Sequence, residues 1–167
     1  MPDRTEFVER QGFGRNLAFF LRVPAVLLAI FGAYIIISAL SDEIPVAGKL
    51  ALVGLGIVTG GVIPWLLWSM HLRVTVDNDA YTVALWPLPL RRSVQLTSIT
   101  DVVTRTVDPM TEYGGWGVKG KSADMLFSVG GVEAVSVVYR DGGEKKKLTV
   151  TSPRAEDLRE TLHAVVS

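Results

Sequence analysis

Two long apolar runs dominate the pattern of hydrophobic and polar positions along the chain. They cover residues 23–40 and 50–70 and hold 18 and 21 residues without a charged side chain. At a rise of about 1.5 Å per residue, helices of these lengths extend roughly 27 and 32 Å, enough to cross a hydrocarbon core of about 30 Å. Only nine residues separate the runs. The pattern therefore predicts a transmembrane helical hairpin within residues 17–71.

The second apolar run carries small and aromatic residues at informative positions. Gly56 and Gly60 have the GxxxG spacing that lets two membrane helices approach closely. This spacing leaves open whether the glycine face packs against the first helix, against another subunit or against a second copy of the chain. Pro64 predicts a kink in the second helix, and Trp65 and Trp68 after it are typical of a membrane interface.

Basic residues around the apolar runs predict the orientation of the hairpin, because segments rich in Lys and Arg remain in the cytoplasm. Lys49 is the one basic residue of the connecting segment, residues 41–49. Seven arginines flank the runs on their other sides: Arg4, Arg10, Arg15, Arg22, Arg73, Arg91 and Arg92. We therefore predict a multi-pass protein of the cytoplasmic (inner) membrane with both termini in the cytoplasm.

From residue 72 onward, apolar and polar side chains alternate with the period of half-buried strands. The predicted strands cover residues 72–76, 81–85, 91–96, 101–107, 116–119, 125–129, 132–140 and 145–151. Ser152 and Pro153 are typical of a helix start, and apolar residues at helical spacing follow them. The sequence thus predicts an α+β membrane protein whose residues 72–167 form a small antiparallel β-barrel or sandwich with a C-terminal helix.

Several short segments of this domain resemble a known family. Residues 112–119 read Glu-Tyr-Gly-Gly-Trp-Gly-Val-Lys, and residues 129–132, 139–142 and 151–153 supply Val-Gly-Gly-Val, Tyr-Arg-Asp-Gly and Thr-Ser-Pro before the helix. In this order they resemble the small prokaryotic membrane proteins that carry a bacterial pleckstrin-homology-like (PH-like) domain behind two transmembrane helices. The resemblance implies a PH-like fold and a non-enzymatic scaffold or binding role, without a defined activity or site.

The N-terminal segment, residues 1–16, supports two interpretations. It combines the apolar residues Phe7, Val8 and Phe13 with flanking charged residues. Such a segment suits an interfacial amphipathic helix, and it also suits a tail that becomes ordered only on a partner.

Composition removes several classes of function. The chain has 17 basic residues, 17 acidic residues and no cysteine. A neutral chain has no net field that attracts nucleic acid, and without cysteine there is no disulfide, thiolate nucleophile or sulfur metal site. His71 and His163 lack the spacing of a metal-binding pair. We therefore expect no enzyme activity, cofactor or metal, and no nucleic-acid partner.

One motif requires a direct test. Residues 115–122 satisfy the phosphate-loop pattern GxxxxGK[ST] letter for letter. Such a loop needs a following helix whose N-terminus faces the phosphate. The next apolar stretch, residues 125–129, has the pattern of a strand. Nucleotide binding is therefore the least favoured of three interpretations, and we treat the match as a coincidence in a glycine-rich turn.

The favoured interpretation is a protein-interaction role. Tyr113 and Trp116, together with Lys119 and Lys121, form a candidate interaction surface, because aromatic residues are enriched at interfaces. The protein would then be an accessory subunit or assembly factor of a larger membrane complex, for example a respiratory or transport complex. Its expected partners are membrane lipids and other membrane protein subunits.

The alternative interpretation is a membrane-tethered sensor of a lipid headgroup or small ligand. Three consecutive lysines, Lys145, Lys146 and Lys147, are candidate contacts to anionic headgroups. They also suit the solvated face of a strand. A basic concavity would favour the sensor, whereas a flat apolar patch at Trp116 would favour docking.

Overall fold

The computed structural model describes residues 7–13, 15–41 and 44–166, which divide into two compact units. The helical unit is Arg15–Met70, and the β unit combines Met1–Gly14 with His71–Ser167. The helical unit is therefore an insertion into the β unit. Residues 7–13 therefore group with the residues that follow the helices, whereas the sequence pattern predicts residues 1–16 as a separate segment.

The helical unit contains two stretches that are long and apolar enough to span a membrane. Helix α1 covers Arg15–Ser38, and the second stretch consists of α2 (Val46–Ile57), a π-helical turn (Val58–Val62) and α3 (Ile63–Ser69). Leu21–Ser38 and Val46–Ser69 both have a mean hydropathy of 2.1, yet only 17% and 6% of their residues are buried. The apolar side chains of these two windows are therefore mostly exposed.

The π-helical turn ends at Val62, two residues before Pro64. Proline has no N–H, and its ring conflicts with the carbonyl four residues earlier, here that of Gly60. A π-helical turn widens the helix at that point. The residues after it continue as α3, so the second stretch passes Pro64 without ending.

The two stretches meet at glycines. A Cβ atom added to Gly32 of α1 would lie 2.8 Å from the carbonyl oxygen of Gly56 and would collide with the backbone of Gly60. A Cβ atom on Gly56 would lie 2.9 Å from the carbonyl oxygen of Gly32. Towards the start of α1 and the end of α3, the Arg22 guanidinium lies 4.9 Å from the centre of the Trp68 ring. The Gly56 and Gly60 face thus packs against α1 of the same chain.

The β unit contains two sheets. The first has the order β1-β2-β3-β4, with all neighbours antiparallel. Its strands are β1 (Phe7–Gly12), β2 (His71–Val76), β3 (Ala80–Trp86) and β4 (Leu90–Gln95). The second sheet has the order β5-β8-β9-β7-β6. Its strands are β5 (Ile99–Thr106), β6 (Gly117–Lys121), β7 (Asp124–Ser128), β8 (Glu133–Asp141) and β9 (Glu144–Thr151).

The second sheet is mixed, because β7 and β9 run parallel. The expectation of a wholly antiparallel domain is therefore wrong at this pair. Strand β9 lies between β8, with which it pairs antiparallel, and β7. Alternating side chains identify strands, but they do not specify which neighbours those strands pair with.

Two helices complete the β unit. Helix α4 (Pro109–Tyr113) follows β5, and helix α5 (Ala155–Val166) ends the described chain. The buried residues of α5 are Ala155, Leu158 and Leu162, on the face that packs against β5 and β8. The predicted C-terminal helix is confirmed, and the fold is α+β.

The N-terminal strand corrects both interpretations of residues 1–16. Residues 7–12 form β1, in which Phe7 pairs with Val76 and Gly12 pairs with His71. Its buried side chains are Phe7, Glu9 and Gln11. Two of the three inward positions are polar, so the hydrophobic pattern did not reveal a strand. Residues 1–6 lie outside the described residues.

Two alanine substitutions distinguish the effect of the glycine contact on stability from the effect of higher helix propensity. Gly54→Ala projects into open space and should stabilise α2 by about 1 kcal/mol, whereas Gly32→Ala meets the backbone of Gly60 and should cost about 1–3 kcal/mol. We expect opposite shifts in the midpoint of helix unfolding, followed by circular dichroism in detergent micelles. Equal shifts for both variants would contradict this packing.

Candidate functional site

The segment before Trp116 is built around the short helix α4. Asp108 caps this helix, since its Oδ1 accepts hydrogen bonds from the backbone N–H groups of Met110 (3.0 Å) and Thr111 (3.3 Å). Glu112 accepts a hydrogen bond from the Asp108 backbone N–H at 3.0 Å. The hydroxyl and backbone N–H of Thr111 hold the pKa of Asp108 below its usual range, and the Asp108 N–H and Arg105 do the same for the pKa of Glu112.

Tyr113, at the end of α4, is a support residue rather than an exposed contact residue. Its hydroxyl accepts a hydrogen bond from Arg105 of β5 (3.1 Å) and donates one to Asp124 of β7 (2.9 Å). Its ring packs against the buried cluster that contains Val107 and Leu126. The residue therefore fixes the end of α4 to two strands of the second sheet.

A second contact strengthens this support. Lys147 of β9 lies 2.7 Å from Asp124, and this hydrogen bond raises the pKa of Lys147. Arg105 also forms an ion pair with Glu112 at 2.9 Å. Strands β5, β7 and β9 thus all contribute to the polar network next to the loop formed by residues 114–116.

This loop presents Trp116 at the edge of the second sheet. Gly114 ends α4 in the left-handed conformation, with φ of +73°. Trp116 follows with 38% of its surface exposed. Strand β6 begins next, and among the described strands it pairs only with β7. Lys119 and Lys121 are exposed on this edge strand. The candidate interaction surface is therefore Trp116, Lys119 and Lys121, with Tyr113 beneath it.

The phosphate-loop motif does not have the structure that its chemistry needs. Residues 115–122 occupy the loop, β6 and the first position of a turn. After this turn, β7 pairs antiparallel with β6, with Lys121 opposite Asp124. A hairpin therefore stands where a phosphate-binding helix would begin.

The three consecutive lysines do not form one surface. Successive side chains of a strand point to opposite faces, so Lys146 lies on the other face from its two neighbours. Lys146 forms an ion pair with Asp141 at 2.9 Å and lowers the pKa of that carboxyl group, whereas Lys147 is bound to Asp124. Lys145 is exposed. Two of the three candidate headgroup contacts are thus engaged within the protein.

The structure reveals a cavity that sequence reasoning missed. It measures about 570 Å³ and lies between β1, the loop at residues 129–132, the first residue of β8 and Ser152. Gln11 lines it with only 6% of its surface exposed, and its buried amide nitrogen has no hydrogen-bond partner among the residues described. A concavity with an unused donor is a candidate ligand site.

Glu9 adjoins this cavity through Ser152. The Ser152 hydroxyl donates to Glu9 at 2.7 Å and accepts from the backbone N–H of Arg154 at 2.9 Å. Burial raises the pKa of Glu9, and the Ser152 hydrogen bond opposes part of the shift. Glu9 and Gln11 stand two residues apart, as the inward positions of a strand do. That spacing was the one sequence signal for this site.

No protein-family model matches this chain, and no curated protein matches it significantly. Assignment of a function therefore depends on the geometry of the sites described above. Within residues 7–13, 15–41 and 44–166, no group of three or more His, Asp or Glu side chains is arranged to hold a metal ion. The interaction surface at Trp116 and the cavity at Gln11 are candidate sites on which a function can be argued.

The buried carboxyl group of Glu9 gives the fold a defined pH dependence. Because the pKa of Glu9 is raised, the folded state holds a proton at pH values where the unfolded chain has lost it. The stability contributed by this group is complete below the ordinary pKa of 4.5 and is lost as pH rises through the raised pKa.

Glu9→Gln removes this titration and keeps an acceptor for Ser152. We expect the free energy of unfolding of the variant to rise relative to the parent chain between about pH 4 and pH 7. Chemical denaturation of the full chain in detergent at several pH values measures the difference. A constant difference across this range would show that Glu9 does not titrate as described.

Proposed function

We propose that this chain is a non-enzymatic integral membrane protein. Its helical unit would cross the cytoplasmic membrane as a hairpin, with both termini in the cytoplasm. The support is the exposure of large apolar side chains around both stretches, which would be costly in water and favourable in lipid. Exposed examples are Leu27, Ile30, Ile37, Leu50 and Leu55.

We propose further that the β unit is a PH-like domain that docks a protein partner. Two sheets with a C-terminal helix packed on the second one agree with such a domain. The protein would then serve as an accessory subunit or assembly factor of a larger membrane complex.

The observation that carries this proposal is the exposed Trp116 on a fixed support. Tryptophan is frequent among residues that dominate binding energy, and a rigid loop loses little conformational entropy on binding. Tyr113 fixes the loop through its hydrogen bonds to Arg105 and Asp124. The adjacent β6 edge offers backbone groups to an extended partner segment, and Lys119 adds charge at the rim.

Co-purification of the tagged full chain tests the docking proposal. We expect stoichiometric recovery of a larger assembly in mild detergent or nanodiscs, identified by size analysis and mass spectrometry. Trp116→Ala should weaken this association by roughly 30-fold, the effect of losing a residue worth about 2 kcal/mol. Val103→Ala is the matched control, because Val103 is also exposed and lies on β5. Equal recovery with both variants would contradict docking through Trp116.

A ligand sensor is the second candidate function, favoured by the cavity at Gln11. Its unused amide donor would bind a carbonyl, carboxylate or phosphate oxygen. The same purification distinguishes this function from docking. A chain that carries no partner but holds one small molecule, released by Gln11→Leu and retained by the exposed-site control Gln95→Leu, would favour the sensor.

A further inference from the structure

The first sheet has two chemically different ends. One end carries the turn between β3 and β4, where Trp86, Leu88 and Leu90 expose 46%, 36% and 41% of their surfaces. The opposite end carries the turn between β2 and β3, which contains Asp77 and Asp79. The apolar end and the acidic end are separated by the length of the strands.

Strand register places the apolar turn at the end where the chain leaves for the helical unit. Gly12 of β1 pairs with His71 of β2, and His71 pairs with Trp86 of β3. The chain departs after Gly12 and returns at His71, with Arg15–Met70 between them. Both covalent connections to the helical unit are therefore at the end that carries Trp86.

Two arginines stand beside the apolar turn. Arg73 and Arg91 each pair with Ala84, so their side chains lie on the same face of the sheet. Both arginines are exposed, and with Trp86 and Leu88 they line a concavity of about 700 Å³. This face of the sheet therefore presents guanidinium groups next to exposed apolar side chains.

Among the residues that the structure describes, the acidic side chains that could oppose these arginines lie elsewhere. Residues 10–13, 71–73 and 84–92, which make up this end of the sheet, contain no Asp or Glu. Asp77 lines the far rim of the concavity, about 13 Å from Arg73 at the rise of a strand. Asp141 approaches from β8, but it pairs with Arg92 at 3.3 Å. Within the described part of the chain, positive charge therefore predominates around the apolar turn.

We propose that this turn is a lipid anchor. Trp86, Leu88 and Leu90 enter the interfacial region of an anionic leaflet, while Arg73 and Arg91 bind the phosphates of anionic phospholipids. Tryptophan favours the membrane interface, arginine binds phosphate through paired donors, and the cytoplasmic leaflet is negatively charged. The proposal depends on the proposed function, because the leaflet is the one that the helical unit spans. The acidic turn at the opposite end faces away from the lipid.

The absence of cysteine lets a single nitroxide label report on each position of the full chain. One label is attached at Leu88→Cys in the apolar turn and one at Asn78→Cys in the acidic turn, with the protein in vesicles of neutral or anionic phospholipid. Collisions with an aqueous nickel chelate measure exposure to water. We expect the label at position 88 to be shielded in anionic vesicles and the label at position 78 to stay exposed in both.

The arginines are tested in the same vesicles. In the double variant Arg73→Gln/Arg91→Gln, the ratio of the shielded to the water-exposed population of the label at position 88 should fall by roughly 30-fold in anionic vesicles. In neutral vesicles the double substitution should have little effect on this ratio. Equal exposure of positions 88 and 78 would overturn the anchor. Equal shielding of position 88 in neutral and anionic vesicles would overturn the preference of the two arginines for anionic phospholipids.

A third label shows whether a negative result contradicts the lipid anchor alone or the proposed membrane insertion as well. Ile30 is exposed on α1, so a label at Ile30→Cys should collide with oxygen dissolved in lipid and not with the nickel chelate. If position 30 is in lipid and position 88 is in water, the anchor is wrong and membrane insertion stands. If position 30 is in water, the membrane insertion itself is wrong.

Discussion

The pairing of β1 with β2 is the constraint on which the rest of the structure depends. These strands are adjacent in the first sheet, yet the 58 residues between Gly12 and His71 include the whole helical unit. A long loop is costly to close when it is flexible. Here two antiparallel helical stretches, packed through Gly32 and Gly60, return the chain towards its starting point. The helix contact and the strand pair therefore support each other.

Most of the secondary structure was predictable, because the relevant side chains follow a simple period. Strands β2 to β9 and helix α5 appear near their predicted positions, and both apolar runs are helices. Strand β1 was missed because Glu9 and Gln11 occupy its inward positions. The parallel pair was missed because periodicity does not encode strand order. Helix α4 is only five residues long, too short to show a helical period.

The candidate sites were less predictable than the fold, since they depend on contacts between distant residues. The sequence pattern predicts one surface that contains both Tyr113 and Trp116. In the structure, Tyr113 packs against a buried cluster, whereas Trp116 is exposed. Three adjacent lysines suggested one basic surface, yet strand alternation and the partners Asp124 and Asp141 divide them. The cavity at Gln11 required the β1 register, which the sequence did not provide.

Labelling from each side of the membrane tests the central claim most directly. Single cysteines at Ser41, between the helical stretches, and at Asn78, in the β unit, are exposed positions in a chain without other cysteines. With a membrane-impermeant maleimide, Ser41→Cys should react in intact cells and Asn78→Cys only in inside-out vesicles. Reaction of both positions from the same side would contradict a helical unit that crosses the membrane as a hairpin.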